Sequence, residues 1–498
     1  MTPATALQER REPAETRPAM AEKSLAADER GQPRDAEPFL SLTWTRARQL
    51  AWSVIDQGAA AGGMFLANIA LARTQSKEEY GVFALTCSVF TFLAGLHNAA
   101  ILEAYTIYGA GRYHRQFPSY AGLLWRSNAW LCSGLASAVA CVWGALWWLV
   151  PRYASRALLG LALACGIVLT ASFVRRTFYM QRRPDLAARF SAIFFLLDAA
   201  LLWLFLRAGR LSGFWAFAIA ALAWSAAGAI FARKLPGNAA PGSFLRSEPR
   251  YWAEHWKYSR WVLVTALVFQ LLTQGYYWLA AGILSVKEAG ELRVLNNLVM
   301  PLDQIFVALT LLLLPALSLR FASQRLAGLV PLWRRYCLGW LSASGSFAVS
   351  LLLFGRPIMH ALYAGRFDNV APLLAVLAFL PVVLGIGNTI NAALKAMEKP
   401  QAVFYAYVAS GGATFLIGLP LILRLGIGGA VYGMLFSSAA YTATLGAALY
   451  FCAHAEPVTG GKSFAAACMA GTPADARRFR EGTSGGGCTE EFEGHEAG

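Results

Sequence analysis

Residues 49–72 read QLAWSVIDQGAAAGGMFLANIALA and contain a single ionisable side chain, Asp56. A helix of this length rises ~36 Å at about 1.5 Å per residue, more than the ~30 Å hydrocarbon core of a bilayer. Starting from Asp56, the three- and four-residue spacing of a helix selects Ala59, Ala60, Gly63, Ala67 and Ala70, whereas Val54, Phe65 and Ile69 lie opposite. The stretch predicts a membrane-spanning helix with a small-residue packing stripe that carries one carboxylate. A carboxylate inside a span faces protein or water rather than lipid, which makes Asp56 a cavity-facing candidate, with a hydrogen bond to a neighbouring helix as the competing reading.

The rest of the chain has the same character. It is 57% hydrophobic and only 14% charged, with mean hydropathy +0.45. A soluble domain carries roughly 25% charged residues, so the polar residues here are too few to clothe soluble domains. Further apolar runs of spanning length lie at 81–108, 128–150, 157–180, 187–207, 212–233, 259–284, 290–318, 334–355, 370–396, 402–423 and 427–451. Within lipid each must be helical, because only a helix satisfies its own backbone. The predicted fold class is an all-α polytopic membrane protein of about 12 transmembrane helices. Residues 1–43 and 453–498 are polar and aperiodic, and read as disordered cytoplasmic tails; 1–43 holds no apolar core of a cleavable signal peptide.

The chain has 43 Lys+Arg against 28 Asp+Glu. These cations form no single patch, so nucleic acid is not an expected partner. They sit in alternate loops instead: Arg112, Arg115 and Arg126; Arg175, Arg176, Arg182, Arg183 and Arg189; Arg233, Lys234, Arg246, Arg250, Lys257 and Arg260; Arg320, Arg325, Arg334 and Arg335; Lys395 and Lys399. By the positive-inside rule both termini are cytoplasmic. The halves also echo one another. Lys77-Glu78-Glu79-Tyr80-Gly81 resembles Lys287-Glu288-Ala289-Gly290, the same offset pairs Trp52 with Trp261, and Arg183-Pro184 matches Lys399-Pro400. Each match joins helix n to helix n+6. The expected organisation is an N-terminal six-helix lobe at 44–233, a cytoplasmic linker at 234–258 and a C-terminal six-helix lobe at 259–452, related as a parallel pseudo-repeat.

Polar residues recur inside other spans. Asn296, Asp303 and Thr310 share a face of helix 8 with Gln304 beside them; Asn388, Asn391 and Lys395 share a face of helix 10; Gln270 and Gln274 are one turn apart on helix 7. These faces predict a wet cavity between the lobes, with interhelical hydrogen bonding as the alternative. His97, Asn98 and Glu103 on helix 2 do not share a face, and Asp198 among Phe194, Phe195, Leu201 and Leu202 reads as structural. Arg175, Arg176, Arg260 and Lys395, near the inner ends of their helices, are candidates for contact with a diphosphate, whose oxygens match an arginine fork; snorkelling is the alternative. Cys87, Cys141 and Cys165 lie in apolar runs, without metal-ligand spacing. No nucleotide-binding or metalloenzyme motif and no sizeable soluble loop is visible, so neither an enzyme, a metal site nor a bound cofactor is expected.

Three segments carry a family resemblance: Ala51-Trp52-Ser53-Val54-Ile55-Asp56-Gln57-Gly58, Asn68-Ile69-Ala70-Leu71-Ala72-Arg73, and Glu78-Glu79-Tyr80-Gly81-Val82-Phe83-Ala84-Leu85. Together with Asn391-Ala392-Ala393-Leu394-Lys395-Ala396, they resemble polysaccharide transporters and O-antigen flippases of the multidrug/oligosaccharidyl-lipid/polysaccharide exporter superfamily. The resemblance is best over residues 45–110 and diffuse beyond. It implies two six-helix lobes in a V that alternate between inward- and outward-facing states in a bacterial inner membrane. It also implies a polyprenyl-diphosphate-linked oligosaccharide as cargo, with a polysaccharide polymerase or glycosyltransferases as working partners. Coupling to H⁺ or Na⁺ is implied, with Asp56 as the residue that would take the ion. The acidic mid-span charges depart from the cationic lumen of such flippases. The alternatives are a multidrug or organic-cation antiporter using Asp56, Asp303, Tyr276 and Tyr277, and a polytopic glycosyltransferase or polymerase.

Overall fold

The computed structural model describes residues 44–454 apart from 111, 112, 114–116, 182, 233, 234, 236–247 and 398. The predicted tail 1–43, residues 455–498 of the other predicted tail, and the loop cations Arg112, Arg115, Arg182, Arg233, Lys234 and Arg246 lie outside the described residues; residues 453 and 454 end the last helix. Among those described there is no strand. The helices are α1 Trp44–Thr74, α2 Lys77–His97 continuing through Asn98–Leu102 and Glu103–Ala110, α3 Phe117–Leu146, α4 Arg152–Met180, α5 Pro184–Arg207, α6 Gly213–Phe231 and α7 Glu248–Ile283. Then come α8 and α9, the two arms of Val286–Tyr363, followed by α10 at Leu380–Ala396, α11 at Pro400–Ala413 extended by Thr414–Gly418 and Leu419–Leu425, and α12 Ile427–His454. Among the described residues, eleven segments are long and apolar enough to cross a membrane, and α8 makes a twelfth helix.

The predicted spans 290–318 and 334–355 fall on two helices, α8 and α9, which meet at a kink at Arg325, whose φ of 51° and ψ of −141° are not helical. Two boundaries differ from the hydropathy reading. Helix α3 starts at Phe117 rather than 128, with Pro118 in its first turn, where no intrahelical N–H is needed. Arg126 is therefore helical rather than in a loop. Helix α7 starts at Glu248, so the second part of the predicted linker 234–258 is helix. Its polar residues have partners on α2, on α3 and in the turn between them: Tyr113 Oη, in the turn, donates to the Glu254 carboxylate, and His255 lies between Tyr120 Oη (3.3 Å) and the Ala100 carbonyl (2.8 Å). Hydropathy scores such a segment as loop because its helix is stabilised by tertiary hydrogen bonds.

Helices α1 and α3–α6 pack chiefly on one another, and the α8–α9 run packs on α10; α2 packs on α7 and on the α8–α9 run as well as on α4. Helix α1 packs on α5 through its small stripe. A Cβ on Gly62 would lie 2.7 Å from the Phe195 ring, and one on Gly63 would lie 2.8 Å from both Phe194 and Asp198. The two glycines matched across the repeat, Gly81 and Gly290, meet at the start of α2 and α8. A Cβ on Gly290 would approach Gly81 Cα to 2.9 Å, and one on Gly81 would approach the Val286 carbonyl oxygen to 2.1 Å. Of the cysteines, Cys87 and Cys165 are buried as expected of small apolar residues, whereas Cys141 is exposed on α3.

Candidate functional site

The turn between α1 and α2 lies at one end of the bundle, the hairpin end; the start of α7 lies at the other, the linker end. A cavity of 440 Å³ lies in the second half, lined from α7, α8, α9, α10, α11 and α12. Of the predicted cavity residues, Gln274, Asn296, Asp303 and Asn388 line it. Gln270 does not: its amide fills the space over Gly95 of α2, where a Cβ would lie 1.7 Å from Nε2. Asn391 stands behind the wall and donates to Tyr441 Oη at 2.9 Å. The cavity was expected between the lobes, yet Thr91 is its one lining residue from the first half. Helix α7 lies against α2.

Sequence reasoning missed Arg293, which lines the same cavity. The signal was present in the spacing: Arg293, Asn296, Asn297, Met300 and Asp303 follow one another at helical intervals on α8. The Arg293 guanidinium lies over the Tyr277 ring, 5.7 Å from its centre. Asp303, on the same helix, is open to the cavity. Aromatic walls complete the site, with Tyr407 stacked on Tyr441 at 5.3 Å and Trp340 against Phe306 at 4.6 Å.

Asp56 and Arg175, predicted to play separate parts, are partners. Arg175 grips the carboxylate bidentately, Nε to Oδ1 at 2.7 Å and Nη2 to Oδ2 at 2.6 Å. Tyr179 Oη donates to Oδ2, and Ser191 Oγ donates to Oδ1 at 2.6 Å. Asp56 is 0% exposed. A charged pair can persist at that depth because donors surround the carboxylate. The small stripe beside Asp56 faces α5 rather than an open cavity. Asp198, also on α5, is 2% exposed, and its Oδ2 has no partner among the described residues.

The other diphosphate candidates are dispersed. Arg176 Nη2 donates to Asn98 Oδ1 at 3.1 Å. Arg260 is exposed and lies over the ring of Trp261, itself 66% exposed, as an interfacial pair would. Lys395 is exposed. The polar residues of α2 divide among neighbours: His97 bonds Asn128 Oδ1 at 2.6 Å, Asn98 meets Arg176, and Glu103 accepts from Tyr258 Oη at 3.1 Å. No group of three or more His, Cys, Asp or Glu placed to hold a metal occurs among the described residues.

The hairpin end is closed by reciprocal caps. Arg73, in the last turn of α1, donates Nε to the Leu362 carbonyl at 2.7 Å and Nη2 to the Ala361 carbonyl, at the end of α9. Arg366, just past α9, donates Nη1 to the Ala72 carbonyl of α1 at 3.1 Å. Each helix end has orphan carbonyls and a negative dipole end, and each receives a guanidinium from the other half. Beside them Lys77 pairs with Glu291 at 3.0 Å. Further along the same helices, an apolar crevice of 240 Å³ separates α1 from α8, lined by Val54, Gly58, Phe65, Met300, Pro301 and Ile305 among others. Val54 and Ile305, on its rim, are 47% and 59% exposed. Met300 lines both this crevice and the polar cavity.

No family model matches the sequence, and no curated protein matches it as a relative. Solved structures do match in fold. One is a multidrug resistance MATE family transporter of the MOP superfamily in an inward-facing conformation: TM-score 0.65, 10% identity, 81% of this chain and 96% of that one covered. Another is the Vibrio cholerae MATE transporter VcmN, as a mutant: TM-score 0.62, 14% identity, 82% and 97% covered. A third is the lipid II flippase MurJ in an inward closed conformation: TM-score 0.60, 12% identity, 80% and 87% covered. At such identities the likeness is one of fold, and the chain shares its all-helical fold with these transporters.

Proposed function

We propose that the protein is a membrane transporter that carries a lipid-linked oligosaccharide across the bilayer by alternating access. The observation that carries this reading is Met300, where an apolar crevice rimmed by exposed apolar side chains adjoins a cavity whose wall carries Arg293, Asn296, Asp303 and Asn388. A substrate with a hydrocarbon tail and a polar head fits that pair of spaces: the tail stays in the crevice, facing lipid, while the head enters the cavity. The linker end is then cytoplasmic, in a bacterial inner membrane, and the Arg73/Arg366 contacts hold the far side shut. Glycosyltransferases would supply such a substrate and a polymerase would consume it. A coupling H⁺ or Na⁺ arriving at Asp56 would compete with Arg175 for the carboxylate, so ion binding and release of that arginine would be one event.

The second reading, an organic-cation antiporter, is favoured by Asp303 among the aromatic residues of the cavity wall. The test is reconstitution in liposomes, with a fluorescent polyprenyl-diphosphate oligosaccharide and a tetraphenylphosphonium cation assayed side by side. Flipping of the first, lost on Met300→Trp, supports the proposal; transport of the cation alone overturns it.

A further inference from the structure

Two polar atoms bordering the cavity are buried without a partner among the described residues, Nε of Arg293 and Oε1 of Gln274. They face one region. Arg293 lies over the Tyr277 ring, and Gln274 precedes Tyr277 by three residues on the same face of α7. Arg293 forms no ion pair among the described residues. The cavity's carboxylate, Asp303, lies ten residues along α8, about 15 Å at the helical rise. The protein thus keeps a desolvated guanidinium edge and a desolvated amide end in the wall of one cavity, a costly arrangement unless a ligand completes it.

The chemistry of the missing partner follows. Arg293 offers only donors, so it needs an acceptor, and an anionic oxygen is the strongest. Gln274 already spends one end of its amide on Thr273 Oγ1 at 3.4 Å. Whichever way that amide is turned, a hydroxyl meets the free end, because a hydroxyl both donates and accepts. Stacked tyrosines on the opposite wall offer a flat apolar face to a ring. An organic cation without oxygen, such as tetraphenylphosphonium, supplies neither the acceptor nor the hydroxyl.

We propose that this cavity binds an acidic carbohydrate, with a sugar carboxylate on Arg293 and an adjacent hydroxyl on Gln274. This rests on the reading of the chain as a lipid-linked oligosaccharide transporter, and it assigns the head group to the second half of the protein alone. A sugar phosphate would present the same anionic oxygen, so the test separates the two.

The full-length protein in nanodiscs is titrated, by saturation-transfer NMR, with methyl glucuronide, methyl glucoside, glucose 1-phosphate and tetraphenylphosphonium. The expected result is binding of the glucuronide roughly tenfold tighter than the glucoside, the increment of one charge-assisted hydrogen bond. Arg293→Gln should erase that preference, Arg293→Lys should retain most of it, and Gln274→Leu should weaken both sugars about equally. Arg293→Lys also guards against misfolding as the cause of a loss. Preference for glucose 1-phosphate over the glucuronide would overturn the carboxylate assignment. Equal binding of glucuronide and glucoside, by a protein that flips lipid-linked oligosaccharide, would overturn this inference and leave the transport reading standing. Binding of the cation alone, without flipping, would overturn both.

Discussion

Replacing Asp56 by asparagine keeps the shape of the side chain and removes the charge that Arg175 holds. The guanidinium would lose an ionic partner to which it makes contacts of 2.6–3.0 Å, at a position where its own side chain is 19% exposed. Breaking a buried pair by removing one partner costs ~3–5 kcal/mol, because the surviving charge stays desolvated. Asparagine can still accept from Ser191 or Tyr179 through its carbonyl, and Arg175 has some access to water, so the lower end, about 3 kcal/mol, is expected. That is roughly a hundredfold shift in a folding equilibrium. Thermal unfolding of the detergent-purified protein, followed by fluorescence-detected size exclusion, should show a clear fall in Tm for Asp56→Asn. The double variant Asp56→Asn/Arg175→Gln removes both charges and should recover most of the loss. A single variant as stable as the parent, or a double variant less stable than the single, would refute the argument that the pair is a buried, mutually dependent unit. The rescued double variant also tests coupling: transport driven by a proton or Na⁺ gradient should be lost in it, and persistence would remove Asp56 from the coupling mechanism.

At the hairpin end, Arg73→Ala with Arg366→Ala should raise the population of states open at that end about fivefold, the effect of roughly 1 kcal/mol. Labelling of a cysteine at Asn297, 1% exposed in the closed arrangement, measures it in a background without native cysteines, and unchanged labelling would dismiss the latch. Gly81→Leu should part the same contact more severely, since its Cβ would lie 2.1 Å from a backbone oxygen that cannot turn aside; reduced protein yield together with increased labelling at Asn297 is the expected outcome. Reporters fused at Gly209 should be exported and reporters fused within 236–247 should remain cytoplasmic, and the reverse would invert the assignment of the two ends.

Much of the fold was legible along the chain because lipid acts on each span separately. A run such as 49–72 must be helical whatever surrounds it, and an apolar length of about 20 residues announces itself. The matched glycines were legible too, as two short echoes in register with the spans. The start of α7 was not. Glu254 and His255 are polar, and the helix there depends on Tyr113, Tyr120 and the Ala100 carbonyl, residues more than a hundred positions away.

The sequence by itself determined that this is a bundle of about twelve lipid-embedded helices with polar residues at particular depths, since hydropathy and helical period are local properties. Only the tertiary structure decided which polar residues are spoken for. Asp56 and Arg175 lie 119 residues apart and neutralise one another, whereas Arg293, unremarkable in its segment, keeps an unpartnered nitrogen beside a cavity. Whether a buried charge is paired depends on distances between helices, and no property of a single helix contains them.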